Sequence, residues 1–288
     1  MFKNLVLGSG AVSGLAYLGA LKELIKQKYL NLEDIENYCG CSVGSLIALF
    51  LIIGYTIDDL ILLTRKLDFK DFLDIKAEDA LSFFHNYGFD NGKRIQLIIE
   101  LFLTKRNFNK DVTLLELYNI TNKNLIITTV CLNTKTAVYF NYKKTPDCKV
   151  VDCIRASMAI PFLYQPVKIQ NEYYIDGGVV KSFPIEYFRK EKELTFGLKS
   201  KHTNRYLDNH DTEDFTNSID NFKNYVLHIF YCPAVNSYRI PSKMTYLEVD
   251  IIEDGLNVDN NVENRMKYIN CGILDAKEFL SNINAPKN

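Results

Sequence analysis

The sequence predicts an α/β fold, and two strand–turn–helix units near its amino terminus are the main reason. In the first, the apolar run 4–7 enters the glycine-rich stretch 8–14, and leucines at helical spacing follow it. In the second, residues 37–40 lead through Gly40-Cys41-Ser42-Val43-Gly44 into an apolar helix that reaches Ile53. Because a buried strand followed closely by a helix is the repeating unit of a parallel sheet, we expect such a sheet in the core.

The composition excludes several classes of protein. The net charge is −1 over 288 residues, and this balance does not point to a nucleic-acid partner. The longest apolar run, residues 43–54, is too short to cross a bilayer. The run 5–21 has the outline of a signal peptide, but its four glycines favour a strand, a turn and a helix of the fold. We therefore expect a cytoplasmic protein that contacts membranes at most peripherally.

The seven cysteines predict neither disulfides nor a metal site. Their number is odd, their spacing is irregular, and Cys39-Gly40-Cys41 is too tight for a metal-binding pair. Reduced thiols in a cytosolic protein are the simplest interpretation. No metal and no other cofactor is predicted.

The later elements are predicted from apolar periodicity and turn residues. Helices are expected from Thr56 to about Leu67, from Gly92 to Arg106, from Thr113 onwards, and over 150–158, 220–231 and 262–280. Strands are expected as two hairpins, 125–132 with 136–142 and 167–169 with 173–175, and singly at 194–198 and 246–251. Residues 200–217 are polar and predict an exposed loop. No linker or repeat interrupts the chain, so one domain over 1–288 is expected.

The predicted helix 92–106 has two interpretations. Its middle, 95–103, is strongly apolar, and both of its ends carry lysine and arginine. Such a segment is typical of a core helix with solvated ends. The alternative is a cap that meets lipid.

Ser42 is a candidate nucleophile. A serine exposed on a tight turn between a buried strand and a buried helix needs small neighbours, and Gly40 and Gly44 supply them. The amides at the start of the following helix favour negative charge on the serine oxygen. The alternative is that the small residues merely allow the strand and the helix to pack closely.

The base that would take the serine proton is less obvious. None of the four histidines, His85, His202, His210 and His228, lies in a turn that would hold it near Ser42. Asp176 is the stronger candidate, because it ends an apolar strand and precedes Gly177-Gly178. Asp-Gly-Gly is also an ordinary turn signal.

The glycine-rich stretch 8–14 lies at a helix amino terminus, which is an anion-binding arrangement. A dinucleotide site would need a second strand ending in an acidic residue about 20 residues further on. Glu33, Asp34 and Glu36 lie in that interval, but residues 30–36 do not form a convincing β-run. Dinucleotide binding is therefore the weaker alternative.

Three stretches in this order resemble the patatin-like phospholipases. Residues 5–21 resemble their oxyanion loop, and 40–44 their nucleophile elbow. Residues 156–161, Pro166-Val167 and Asp176-Gly177-Gly178 resemble the stretch that carries their catalytic aspartate. The resemblance is clearest over 3–198, and residues 199–288 are expected to complete the fold.

The resemblance implies a three-layer α/β/α fold with a mostly parallel central sheet, and a Ser–Asp dyad without histidine. Ser42 would attack a carboxylic ester of a membrane or micellar glycerolipid to form an acyl-enzyme, and Asp176 would accept its proton and later activate water. The amides of Gly10 and Ala11 are the candidate oxyanion hole. The supporting glycines would be Gly8, Gly14, Gly40, Gly44, Gly177 and Gly178. The activity implied is that of a phospholipase A or lysophospholipase.

The glycine loop departs from the family pattern. Ser9-Gly10-Ala11 replaces three consecutive glycines, Ser13 replaces a basic residue, and Ser182-Phe183-Pro184 stands where Asn-Pro is common. These departures keep open an alternative, in which the protein keeps the fold and binds lipid or a protein partner with little catalysis. Acyl transfer to an alcohol or a lysolipid is another, because an acyl-enzyme does not specify its acceptor.

Overall fold

The computed structural model describes residues 1–66, 72–74, 83, 85–201, 240–250 and 261–285. The strands are β1 (Asn4–Leu7), β2 (Asn37–Cys41), β3 (Gly88–Asp90), β4 (Asn124–Cys131), β5 (Thr136–Phe140), β6 (Phe162–Tyr164), β7 (Val167–Ile169), β8 (Glu172–Asp176), β9 (Thr195–Lys201) and β10 (Thr245–Asp250). The helices are α1 (Leu15–Lys26), α2 (Val43–Ile52), α3 (Ile57–Lys66), α4 (Lys93–Lys105), α5 (Leu114–Thr121), α6 (Val150–Ser157), α7 (Gly178–Lys181) and α8 (Val262–Asn284).

The central sheet has the strand order β10-β9-β1-β2-β4-β8-β7, and β5 also pairs with β4. Strands β10, β9, β1, β2 and β4 run parallel to one another. Strands β5, β7 and β8 join through antiparallel pairs, which include both predicted hairpins. The predicted α/β class with a mostly parallel sheet is confirmed, and the antiparallel strands at one side make the sheet mixed.

Both faces of the sheet are covered. Leu5 of β1 packs into a large core with residues of α1 and α2. Val6, Cys39 and Ile126 are neighbours in register on the opposite face, where they pack against residues of the 3-10 helix Ile185–Phe188. Successive residues of β1 thus pack against opposite layers, as a sheet between two layers requires.

Asparagine side chains link the amino-terminal ends of three parallel strands. The Nδ2 of Asn37 donates to Oδ1 of Asn4 at 2.8 Å, and the Nδ2 of Asn124 donates to Oδ1 of Asn37 at 2.9 Å. Nδ2 of Asn4 donates in turn to Oε2 of Glu191 at 2.9 Å. The three asparagines are direct neighbours in the strand register of β1, β2 and β4.

The carboxy-terminal helix α8 packs directly on α1. A Cβ atom at Gly19 would collide with the carbonyl oxygen of Ile269, and one at Gly272 would collide with the carbonyl oxygen of Ala16. The two backbones can approach this closely because both positions lack a side chain.

The structure contains the two helix caps that the sequence predicts, and α4 packs against the core. Thr113 and Glu116 form the predicted capping box, with Glu116 Oε2 2.8 Å from the amide of Thr113. The amide of Asp59 donates to Oγ1 of Thr56 at 3.1 Å, so Thr56 caps α3. Helix α4 buries Ile95, Ile99 and Leu103 in the core and leaves Leu97 and Leu101 about half exposed. No helix in the described ranges has the length and apolar character needed to span a membrane.

Some boundaries differ from prediction. Strand β9 continues to Lys201 because Ser200 pairs with Val249 of β10, so Ser200 is not part of the predicted loop. The short strands β3 and β6 pair with each other in parallel and were not predicted. The rest of the predicted loop 200–217 and the predicted helix 220–231 lie outside the described residues.

Candidate active site

Ser42 occupies a strained turn between β2 and α2. Its backbone has φ 53° and ψ −128°, a conformation that residues with a side chain rarely adopt and that costs on the order of 1–3 kcal/mol. A Cβ atom at Gly44 would collide with the carbonyl oxygen of Leu7, and one at Gly40 would collide with the backbone of Ser45. The sharp turn therefore requires both glycines of the predicted elbow.

Hydrogen bonds hold this turn in place. The amide of Ser42 donates to Oγ of Ser157 at 2.9 Å, and Ser157 donates to the carbonyl oxygen of Thr128 at 2.7 Å. Oγ of Ser45 donates to the carbonyl oxygen of Ser42 at 2.6 Å. Helix α6 and strand β4 thus support the elbow from one side, and α2 supports it from the other.

Asp176 lies at the carboxy-terminal end of β8. The Ser42 side chain is near enough to its carboxylate to lower the pKa of that group, and the amide of Gly178 donates to its Oδ1 at 2.7 Å. The thiol of Cys41 lies 3.9 Å from the same oxygen. The structure brings together the predicted nucleophile and the predicted base, which are 134 positions apart in the chain.

The environment of Asp176 favours its protonated form. Burial raises the pKa of this carboxyl to about 7, although the hydrogen bonds from Gly178, Ser42 and Cys41 act in the opposite direction. Burial has this effect because a low-dielectric surrounding disfavours the carboxylate. A base with a pKa near the ambient pH can both accept and return a proton.

The glycine-rich loop meets both the elbow and the Asp176 turn. A Cβ atom at Gly44 would collide with the carbonyl oxygen of Gly8, and one at Gly14 would lie 2.5 Å from Val43. A Cβ at Gly178 would lie 3.0 Å from Asp176 Oδ1 and 3.4 Å from Ser9 Oγ. The three predicted segments therefore converge at one point, at the carboxyl ends of the parallel strands.

The peptide group between Ser9 and Gly10 is fixed through its carbonyl oxygen. The hydroxyls of Tyr17 and Ser200 each lie 3.0 Å from the carbonyl oxygen of Ser9, and 2.7 Å from one another. In a planar trans peptide the N–H points away from the C=O. Holding the Ser9 oxygen against Tyr17 and Ser200 therefore directs the amide of Gly10 to the opposite side.

The next peptide group is fixed in the same way. The hydroxyl of Ser13 donates to the carbonyl oxygen of Gly10, and the amide of Gly14 donates to it at 3.2 Å. Ala11, which follows, has φ 43°. Within the described part of the chain, neither Gly10 nor Ala11 donates its amide to a protein acceptor. Two oriented amides are therefore available for a developing negative charge.

The remaining supporting glycines have structural roles. The amide of Gly8 donates to the carbonyl oxygen of Leu198 at 2.9 Å and continues the pairing of β1 with β9. A Cβ at Gly177 would lie 2.5 Å from the carbonyl oxygen of Thr128, so this glycine allows the Asp176 turn to lie against β4.

In the part of the chain that the structure describes, no residue supports a histidine base, a dinucleotide site or a metal site. Among the histidines, His85 is exposed, and His202, His210 and His228 lie outside the described residues. Glu33 and Asp34 belong to a 3-10 helix and not to the end of a strand, as a dinucleotide site would require. The described residues contain no group of histidine, cysteine and carboxylate side chains that could hold a metal ion.

A mainly apolar cavity of about 140 Å³ opens beside Ser42. One water needs only about 10–15 Å³, so the space suits a larger apolar group. Ala11, Ser42 and Arg265 are among the residues that line it. The apolar lining comes from several helices and includes Leu15, Leu18, Leu46, Phe50, Ile98 and Phe102.

Several residues of the site could not be recognised from local sequence. Ser157 contacts the elbow and Tyr17 contacts the glycine-rich loop because folding brings these segments together. Ser200 also contacts this loop, although it lies in a segment predicted as a solvent-exposed loop. Arg265 comes from α8, outside the stretches that carry the sequence resemblance. A glycine inside each of the two predicted helices, Gly19 and Gly272, was the one local signal for the contact between α1 and α8.

Comparisons with known proteins agree with this geometry. Residues 5–189 match the model of a family described as patatin-like phospholipase. An uncharacterized protein of Acanthamoeba polyphaga mimivirus is 29% identical over 96% of this chain and 93% of its own length. A probable lipid hydrolase of Invertebrate iridescent virus 6 is 30% identical over 64% of this chain and 62% of its own length.

Among solved structures, the chain is similar in fold to VipD from Legionella pneumophila. The TM-score is 0.63 at 17% identity, covering 98% of this chain and 67% of VipD. The fold, the convergence of loop, elbow and aspartate turn, and the family match over residues 5–189 lead to one assignment. This chain belongs to the patatin-like phospholipase family.

Proposed function

We propose that this protein is a lipid acyl hydrolase of the phospholipase A or lysophospholipase type, and that Ser42 and Asp176 act as its dyad. The observation that carries the proposal is that Ser42, in the strained turn, lies beside the buried carboxyl of Asp176, whose pKa is raised to about 7. A free aspartate, with a pKa of about 3.9, would be a poor base for an alcohol. Family membership and the similarity to a probable lipid hydrolase support the substrate class.

The first half of the reaction forms an acyl-enzyme. Oγ of Ser42 attacks the carbonyl carbon of the ester, and its proton passes to the Asp176 carboxylate. The carbonyl oxygen becomes an oxyanion, which the amides of Gly10 and Ala11 stabilise. One such donor is typically worth about 2.7–4 kcal/mol, so the loop has a large share in the rate. The carbon–oxygen bond to the leaving alcohol then breaks, and Asp176 returns the proton to that alcohol.

The second half releases the acid. Water attacks the acyl carbon and gives a proton to Asp176, and a second oxyanion forms in the same place. The bond to Ser42 breaks, and Asp176 returns the proton to Oγ. The products are a fatty acid and the deacylated lipid, and no metal or cofactor takes part in these steps. An alcohol or lysolipid in place of water would give acyl transfer.

The cavity beside Ser42 would hold the acyl chain. Its lining is mainly apolar, and burial of a hydrocarbon chain gains about 0.8 kcal/mol for each CH₂ group. Ser42 lines this cavity and also influences the pKa of Asp176, which supports its assignment as the residue that meets the ester.

Labelling and hydrolysis test the proposal together. Wild-type protein, Ser42→Ala and Asp176→Asn are treated with a fluorophosphonate, and the labelled residue is identified by mass spectrometry. The same three proteins are assayed on nitrophenyl esters and on phospholipid vesicles. Ser281→Ala, a change at an exposed serine of α8, serves as the matched control.

We expect label on Ser42 in the wild type and the control, and loss of hydrolysis by at least about 1,000-fold in both dyad variants. Equal hydrolysis by the wild type and both variants would contradict the proposal. Absence of labelling in folded wild-type protein would instead favour the alternative of a patatin-fold protein that only binds lipid or a partner.

A further inference from the structure

The cavity of the nucleophile extends along one face of α2. The residues of α2 that line it recur at helical spacing from the first turn onwards: Val43, Leu46, Ile47 and Phe50. Ser42, which also lines the cavity, immediately precedes this helix. Among these residues Phe50 is the farthest from Ser42, so the cavity reaches from the nucleophile along α2 to Phe50.

An aromatic cluster closes the cavity at Phe50. The rings of Phe50 and Phe102 both line the cavity, and their centroids are 4.8 Å apart. Tyr55 packs against Phe50 at 5.7 Å and against Phe102 at 5.4 Å, but it does not line the cavity, so its ring lies behind them. Because Phe50 and Phe102 are only 8% and 3% exposed, the two rings form a wall and not a mouth.

Polar contacts hold the aromatic cluster in place from behind. The hydroxyl of Tyr55 donates to the carbonyl oxygen of Phe102 at 3.3 Å. The guanidinium of Arg106 lies over the ring of Tyr55, 4.1 Å from its centroid, and its Nη2 is 3.0 Å from Oδ2 of Asp59. These contacts join α3, the end of α4 and the segment that follows α2. A close-packed wall of this kind yields little to a ligand that is too long.

The helix gives the depth of the cavity. Phe50 follows Ser42 by eight residues, which is about 12 Å of helix. An extended chain of single bonds advances about 1.2 Å per bond, because a peptide residue with three such bonds spans roughly 3.3–3.6 Å. The distance from Ser42 to Phe50 therefore suits an acyl chain of about ten carbons. A chain in a bilayer fills one leaflet, about half of a hydrocarbon core that is roughly 30 Å thick, and is longer than this space.

We propose that Phe50 and Phe102 are specificity-determining residues that limit the acyl chain to about ten carbons. The protein thus favours medium-chain acyl esters over esters of longer chains. A longer chain must leave its distal carbons outside the cavity or displace the packed rings, so the added CH₂ groups gain no burial. This inference rests on the proposed acyl hydrolase function and adds the chain length to it.

Binding of a homologous series tests the inference without catalysis. Full-length Ser42→Ala protein, which cannot form an acyl-enzyme, is titrated calorimetrically with saturated fatty acids from butanoic to hexadecanoic acid, each below its micellar concentration. Each CH₂ group that enters the cavity should raise the affinity about fourfold, and beyond about ten carbons each should add less than about 1.5-fold. Adding Phe50→Ala should move this break by about two to four carbons towards longer chains.

Hydrolysis provides a second measurement. The wild type, Phe50→Leu and Phe102→Leu are assayed for kcat/KM on nitrophenyl decanoate and nitrophenyl palmitate in the same mixed micelles. We expect the wild type to prefer the decanoate at least about tenfold, and each variant to reduce this ratio about threefold or more. Phe188→Leu is the matched control, because it shortens a buried phenylalanine on the opposite face of the sheet. Its ratio should equal that of the wild type.

A series without a break up to hexadecanoic acid, or a break that Phe50→Ala leaves in place, would overturn the inference. If Phe50→Ala fails to fold, Phe50→Leu and Leu46→Phe decide. Leu46 lies on the same face of α2 about 6 Å from Ser42, so a larger side chain there should move the break to shorter chains. A break that neither variant moves has the same negative meaning.

The two measurements separate this inference from the proposed function. A break at about ten carbons that moves with Phe50 supports the inference even if the wild type hydrolyses neither ester. Equal kcat/KM on both esters, together with a series that has no break, overturns the inference and leaves the proposed hydrolase function intact.

Discussion

The hydroxyl of Tyr17, in α1, lies 3.0 Å from the carbonyl oxygen of Ser9, a residue that precedes this helix in the chain. Ser200, from β9, approaches the same oxygen at the same distance. Because the amide of Gly10 belongs to the same peptide plane, these two hydroxyls set its direction without touching it. Tyr17 and Ser200 are therefore positioning residues for the proposed oxyanion hole.

We expect Tyr17→Phe combined with Ser200→Ala to lower kcat about tenfold and to change KM little. The reason is that a misdirected amide weakens stabilisation of the oxyanion, which forms only after the substrate has bound. Steady-state kinetics on a nitrophenyl ester give both constants. Tyr38→Phe is the control, since its hydroxyl bonds to the carbonyl oxygen of Leu32, away from the site. A rise in KM at constant kcat would show that the two hydroxyls do not act on the oxyanion hole.

The raised pKa of Asp176 predicts the pH dependence of the reaction. Since only the carboxylate can accept the serine proton, kcat/KM should rise about tenfold per pH unit below pH 7 and level off above it. The profile is measured between pH 5 and 9 on a substrate that does not titrate in this range. The rate of fluorophosphonate labelling should follow the same curve. A rate that is constant from pH 5 to 8 would exclude Asp176 as the base.

The same pKa predicts how stability changes with pH. The folded protein holds a proton on Asp176 up to about pH 7, whereas the unfolded chain loses it near pH 4. Stability should therefore fall as the pH rises from about 4 to 7, and should not change further above that range on account of this group. Asp176→Asn removes the effect, because a neutral amide of similar shape has no charge to bury.

The comparison of Asp176→Asn with the wild type measures this effect. The variant should gain stability relative to the wild type with rising pH, by up to about 4 kcal/mol above pH 7. Denaturant unfolding at pH 4, 6 and 8 gives the difference. A difference that stays constant over these three pH values would show that the carboxyl has an ordinary pKa in the folded protein.

Much of the fold could be predicted because its patterns are local. The strand before the loop 8–14, the elbow around Ser42 and the capping box at Thr113 each depend on neighbouring residues. The pairing of Ser42 with Asp176 was expected from the ordered resemblance and not from either residue alone. These segments agree with the structure because local sequence and packing favour the same conformation.

The unpredicted parts depend on contacts between distant segments. Ser200 was expected in an exposed loop, yet its hydroxyl faces Ser9, because β9 extends beside β1 and β10. The replacement of a basic residue by Ser13 is compatible with an ordered loop, because its hydroxyl binds the carbonyl oxygen of Gly10. A single sequence contains no signal for either contact.

The serine of α6 offers a further test of the elbow. Ser157→Ala removes the acceptor for the amide of Ser42 and leaves a strained turn with a buried, unsatisfied donor. We expect a loss of about 1–3 kcal/mol in the free energy of unfolding together with a lower kcat. Denaturant unfolding checks the first effect and steady-state kinetics the second. Ser281→Ala, which removes a hydroxyl from an exposed helix position, should change neither.

The contact between α1 and α8 predicts a loss of stability when its close approach is blocked. Gly272→Ala would force the two helices apart, because its Cβ collides with the carbonyl oxygen of Ala16. We expect a loss of about 1–3 kcal/mol in the free energy of unfolding. Denaturant unfolding measures this effect. Leu274→Ala, at an exposed position of the same helix, is the control.

The asparagines at the start of β1, β2 and β4 have a consequence for the opposite end of the sheet. Asn4 precedes Gly8, Asn37 precedes Cys41 and Asn124 precedes Thr128 by the same count, four residues, and Ser42 follows Cys41 directly. Because a strand adds about 3.3 Å per residue and the three asparagines are aligned, these three positions lie at the same level of the sheet. The loop, the turn that holds the nucleophile and the supporting carbonyl therefore meet at that level. Inserting or deleting one residue within a strand would change that count and separate them.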